Sequence, residues 1–150
     1  MRDLRTKTNA LNLALSSSDY DIIALPETWL RDDICNAELT ADYNVFRCDR
    51  NPETRALQRG GGVLIGIKNY LMSSMISVPG CERLEQVIVR TSLGFHSIYI
   101  CCIYLRPNSD PELYTAQSNA IHEVLNMANP ADTVVVLGDC WSLDHDMKDT

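Results

Sequence analysis

Two apolar runs that each end at an acid constrain this chain most. Ile22-Ile23-Ala24-Leu25-Pro26 leads directly into Glu27, and Thr133-Val134-Val135-Val136-Leu137 leads through Gly138 into Asp139. Short, uninterrupted apolar runs of this kind predict buried strands. A carboxylate fixed at a buried strand tip is a suitable ligand for a hard cation such as Mg²⁺. Two such tips predict one metal-dependent site with Glu27 and Asp139 on the same rim. They also predict that 22–25 and 134–137 are adjacent central strands.

The order of the remaining signals is mixed rather than a strict β-α alternation. Residues 6–16 have helical apolar spacing and stop at Ser16-Ser17-Ser18-Asp19. Strands are expected at 43–48, 63–67, 75–78, 86–91 and 95–105, with Leu93-Gly94 turning the last pair into a hairpin. On the last of these, the adjacent Cys101 and Cys102 should point to opposite faces. Asp49 to Gln58 reads as an exposed loop. Asp110-Pro111 predicts a helix start, with an acid at the N-cap and proline at the first helical position. Leu113, Ala116, Ala120, Ile121, Val124 and Leu125 would line its apolar face, and Asn129-Pro130 would end it. This order excludes a simple doubly wound nucleotide-binding fold. Arg59-Gly60-Gly61-Gly62 precedes a strand, and it lacks the Lys-Ser/Thr and following helix of a P-loop.

With 150 residues the chain suits one domain. Its 45% hydrophobic and 22% charged residues fit a folded soluble protein rather than a disordered one. The net charge of −7 argues against nucleic-acid binding through bulk positive charge. It leaves open an enzyme that grips phosphate locally. The six cysteines form no C-x-x-C pair and fit no zinc framework, so they read as small buried residues in a reducing compartment. No signal peptide opens the sequence, and no run reaches the ~18 apolar residues of a membrane span. An intracellular protein, in nucleus or cytoplasm and without membrane association, is expected.

Glu27 in Pro26-Glu27-Thr28-Trp29-Leu30, Arg59-Gly60-Gly61-Gly62-Val63-Leu64-Ile65, Tyr104 before Arg106-Pro107, and Gly138-Asp139 stand in a familiar order. With Leu4-Arg5-Thr6-Lys7 they resemble the endonuclease/exonuclease/phosphatase superfamily. The likeness is greatest to the apurinic-endonuclease-like domain of non-LTR retrotransposons. It runs from about Leu4 to Asp139 and implies an α/β fold, a two-sheet sandwich of the DNase I-like type. It also implies Mg²⁺-dependent, or Mn²⁺-dependent, hydrolysis of a DNA phosphodiester. By the same resemblance Glu27 holds the metal, Tyr104 sits against the scissile phosphate, and Asp139 orients or deprotonates the attacking water. Arg59 is a candidate contact to backbone phosphate; a solvated loop arginine is the other reading. His96 and His122 read as structural.

Departures from the family pattern shape the expectation. The family's first strand, with its asparagine, would precede Met1. Trp141 stands where the family's G-D-x-N motif has asparagine. Ser142-Leu143-Asp144-His145 lies too near Gly138-Asp139 to be the family's late Ser-Asp-His motif. The resemblance therefore implies a partial domain over 1–139, lacking its first strand and most of its second half, then a polar tail over 140–150. Weak or absent activity is expected. A non-enzymatic remnant of a decayed retroelement is the alternative.

Overall fold

The computed structural model describes residues 4–17, 19–26, 28, 35–36, 40–49, 62–81, 83–105 and 110–140, with the backbone alone for 4–8, 139 and 140. Helix α1 spans Leu4–Ser17. Strands follow at β1 Ile22–Pro26, β2 Tyr43–Cys48, β3 Val63–Lys68, β4 Met72–Met75, β5 Glu85–Ser92 and β6 Ser97–Leu105. Helix α2, Pro111–Met127, then leads into β7, Thr133–Cys140.

The strands form two sheets, β1-β3-β2 and β4-β5-β6-β7. The first is antiparallel throughout. In the second, β4, β5 and β6 run antiparallel while β7 pairs with β6 in parallel. A parallel neighbour requires a crossover, and α2 supplies it. The sheets pack face to face through Val63, Ile65 and Ile67 on one side and Val87, Val89, Ile100 and Cys102 on the other. Leu11 and Leu15 of α1 cover the outer face of the first sheet, against Tyr43 and Leu64. α2 covers the outer face of the second, with Leu113 and Ala120 against Leu105, and Val124 against Ile88, Tyr99 and Cys101. The result is an α/β sandwich with helices outside, as the sequence predicts.

Strand alternation sets these layers. Cys101 faces α2 and Cys102 faces the opposite sheet, the opposed orientation expected of neighbours on a strand. Burial pushes both thiols up to about 11, so they remain protonated and unreactive at neutral pH.

Five local expectations need correction. β1 and β7 are not neighbours: β1 pairs with β3 in one sheet and β7 with β6 in the other. Nor is β7 central among the described strands, since Val135 and Val136 are 38% and 41% exposed. The inner strands of the two sheets, covered on both faces, are instead β3, between β1 and β2, and β6, between β5 and β7. The strand expected at 75–78 is instead β4, held by its ladder to Val89–Ser92 at the sheet edge, where apolar alternation is not required. On α2, Gln117 is buried and donates to the Gln86 side chain at 3.0 Å, whereas Leu125 is exposed. Asp110 occupies the N-cap, yet no side-chain bond caps the helix.

Asp132 fixes the start of β7. Its Oδ2 accepts from the Asn129 N–H at 2.9 Å and its Oδ1 from the Ser97 N–H at 2.8 Å. These two bonds hold its carboxyl below the usual carboxylate range. A depressed folded value contributes stability above the unfolded pKa of ~3.9 and loses it as pH falls through the folded value. Asp132→Ala should therefore lower the urea midpoint at pH 7, and its difference from the parent should shrink at pH 3. Equal differences at both pH values would show that the carboxylate charge is not what holds the turn.

Candidate functional site

The antiparallel register of the first sheet brings three strand ends together. Pro26, the last residue of β1, and Cys48, the last of β2, both pair with Val63, the first of β3. Just beyond them the Thr28 N–H donates to the Gly62 carbonyl at 3.3 Å. Gly62 adopts φ +83°, and a Cβ there would lie 2.7 Å from Thr28 Oγ1 and 3.5 Å from the Cys48 carbonyl oxygen. Only glycine fits both that backbone and that gap.

The second sheet presents a matching rim. Tyr104, near the end of β6, pairs in register with Glu85 at the start of β5 and with Asp139 near the end of β7. The two rims meet where the Cys48 thiol points to the Leu84 carbonyl at 3.9 Å. One end of the sandwich thus gathers Thr28, Gly62, Cys48, Asp49, Glu85, Tyr104 and the Asp139 backbone.

The electrostatics of this end are those of oxygen donors. Burial raises the Cys48 thiol above its ordinary value; a backbone bond at Gln86 opposes this, and the charges of Glu85 and Asp49 add to it. Cys48 is therefore kept protonated and is no thiolate ligand for a soft metal. Asp49 is nearly buried, with its Oδ2 3.1 Å from Arg47 Nε. Glu85 is buried at 5% exposure. Tyr104 is half-buried and packs against the core between the sheets. Thr28 is 1% exposed, and its Oγ1 has no hydrogen-bond partner among the described residues.

No protein-family model matches the chain, and no curated protein matches it by sequence. Solved structures do. Truncated Caenorhabditis elegans TDP2 superimposes with a TM-score of 0.64 at 17% identity, over 97% of this chain and 59% of that one. D. rerio TDP2 complexed with single-strand DNA product gives 0.60 at 15% identity, over 93% of this chain and 55% of that one. A humanized D. rerio TDP2 gives 0.56 at 16% identity, over 97% and 63%. The fold is the DNase I-like α/β sandwich. The chain spans about three fifths of the length of the first of these.

Within this DNase I-like fold, the sequence-derived site residues fare differently. Tyr104 and Asp139 are brought side by side in register. Glu27 and Arg59 lie outside the described residues, although Glu27's chain neighbours Pro26 and Thr28 stand on the rim. The strand β7 runs through Cys140, one residue into the expected tail; the remainder, 141–150, is outside the described residues.

Sequence reading missed Thr28, Asp49 and Glu85. Asp49 was expected to open an exposed loop, but its pairing with Arg47 buries it. The Arg-x-Asp spacing at the end of a strand was the available signal, because residues two apart share a face. His96 sits exposed in the turn before β6, and His122 is exposed on α2.

Among the described residues, no group of three or more His, Cys, Asp and Glu side chains is arranged to hold a metal. The donors at this end nonetheless suit a hard divalent cation. They are carboxylate and hydroxyl oxygens, the one thiol is protonated, and Thr28 Oγ1 is a buried oxygen in need of a partner. No helix among the described residues is long and apolar enough to cross a membrane.

Proposed function

We propose that this chain is a divalent-metal-dependent phosphodiester hydrolase domain, a DNA endonuclease of the non-LTR retrotransposon type. The observation that carries the reading is the register pairing of Tyr104 with Asp139, on a rim joined to the Thr28–Gly62 contact beside Glu27. The TDP2 structure with single-strand DNA product supports DNA as the partner. The domain would act in nucleus or cytoplasm.

In this reading Glu27 holds Mg²⁺, or Mn²⁺ in its place. The cation, when bound, offsets charge on the phosphoryl oxygens. Asp139 orients the attacking water and takes up its proton. Tyr104, stiffened by the inter-sheet core, places its hydroxyl against the phosphate. Arg59 supplies a local positive charge on a chain that is otherwise acidic.

Trp141 is the observation that favours the second reading, a non-enzymatic remnant of a retroelement, because tryptophan cannot replace the carbonyl and amide of asparagine. Plasmid nicking with Mg²⁺ separates the two. Residues 1–150 should nick barely above background, and the residual signal should vanish in Glu27→Ala and in Asp139→Ala. Trp141→Asn should raise it at least about tenfold, since a lost catalytic donor commonly costs on the order of 10²- to 10³-fold. A signal indifferent to all three substitutions would support the remnant. Strong nicking by the parent, abolished by both alanine variants, would contradict the expected weakness.

A further inference from the structure

We propose that the groove between residues 78–81 and helix α2 docks an extended basic segment of a partner protein, with an apolar residue at its centre and a cationic side chain on either side. The groove lies on the outer face of the second sheet, and no residue of the proposed catalytic rim lines it.

Three observations carry it. The first is the cleft itself. Its volume is about 750 Å³, within the ~300–1,000 Å³ of ligand pockets. Its apolar lining comes from Val78, Pro79, Cys81, Ala116 and Met127. Cys81 is 9% exposed and its thiol points to the Ala116 carbonyl at 3.8 Å, which holds the connection against the helix. The small side chain of Ala116 leaves the middle of the cleft open, and Met127 stays 44% exposed at its end.

The second is charge. Glu112 and Glu123 line the groove; among the described residues no Lys or Arg does, and His122 is its one basic side chain. Neither glutamate has an ion pair or hydrogen bond among the described residues. On a chain of net charge −7 such a face attracts cations and repels anions. The same carboxylates disfavour nucleic acid or an anionic membrane as the occupant.

The third is spacing. Glu112, Ala116, Asn119 and Glu123 recur at intervals of four, three and four, so they form one stripe along α2. At ~1.5 Å per residue the two carboxylates stand about 16 Å apart along the axis. On an extended segment, basic residues four positions apart share a face and span about 13 Å. Their flexible stems cover the remainder. The residue midway between them then falls over the small Ala116, beside Asn119. The Asn119 carboxamide both donates and accepts, as a peptide backbone requires.

The test titrates ¹⁵N-labelled residues 1–150 with the acetylated, amidated peptide Arg-Thr-Leu-Thr-Arg and follows amide shifts by NMR. Saturable shifts should gather at 78–81 and 112–127. Glu112→Gln/Glu123→Gln should weaken binding at least about fivefold, as the loss of two exposed ion pairs requires. Asp19→Asn removes an acid elsewhere on the surface and should leave binding unchanged. The reordered peptide Arg-Arg-Thr-Leu-Thr should bind the parent at least about fivefold more weakly. That comparison holds even if losing Glu112 from the first turn destabilises α2 in the double variant. Equal weakening by Asp19→Asn would reduce the effect to bulk charge and overturn the proposal. Equal affinity for the reordered peptide or for spermine would overturn it too, because charge alone would then suffice. Absence of shifts in the groove would overturn it outright.

Discussion

Gly138→Val should unfold the protein under conditions in which the parent is folded. Gly138 lies in β7 at φ +139°, opposite Ile103 of β6 in the parallel register. A Cβ there would collide with the Ile103 carbonyl oxygen and come within 2.8 Å of its carbonyl carbon and 2.9 Å of its nitrogen. No side-chain rotation relieves a clash with backbone, so relief requires β7 to leave β6. A residue forced into such a φ costs of order 1–3 kcal/mol before any collision. With the lost strand pairing the total should exceed about 4 kcal/mol, much of the ~5–15 kcal/mol that holds a domain together. Gly94→Ala provides the control. It has φ +84° but nothing within 4 Å of the added carbon, so only conformational strain, about 1 kcal/mol, should appear. Urea midpoints by circular dichroism measure both. A parent-like midpoint for Gly138→Val would mean that Ile103 and Gly138 are not paired, and with them Tyr104 and Asp139.

That pairing shows how the sequence and the fold relate. The apolar runs and the crossover helix were legible because each is a local pattern with its own period. The opposite faces of Cys101 and Cys102 followed from strand alternation alone. What local pattern does not contain is the choice of partner. β1 and β7 look alike in sequence, yet one pairs with β3 and the other with β6. An apolar run reports burial without reporting the sheet in which the burial occurs. The same gap hid β4, whose Met72-Ser73-Ser74-Met75 carries almost no apolar signal because an edge strand is held by backbone bonds.

The site was legible in part for a related reason. Tyr104 and Asp139 stand at strand ends, where sequence motifs accumulate. Asp49 and Glu85 look like ordinary surface acids; Asp49 is largely covered beside Arg47, and Glu85 is buried where the two rims meet. Thr28 gave no signal as a threonine after an acid. Its meaning depends on Gly62, thirty-four positions away in the chain, closing on it.

This end of the sandwich is acidic, and that gives the central claim its most direct test. Asp49 has Arg47 beside it, while Glu85 is buried near Cys48. Glu27 and Asp139 would add further carboxylates. Like charges gathered in one place favour a divalent cation, which stabilises the folded state as it binds. Crystals soaked in Mn²⁺ and measured at the manganese absorption edge would locate the ion. The account predicts an anomalous peak at the rim where β1, β3, β6 and β7 end or begin, about 2.1 Å from a Glu27 carboxylate oxygen. Glu27→Gln should abolish it. A peak confined to the groove between residues 78–81 and α2, near Glu112, His122 and Glu123, or a rim peak unchanged in Glu27→Gln, would contradict the account.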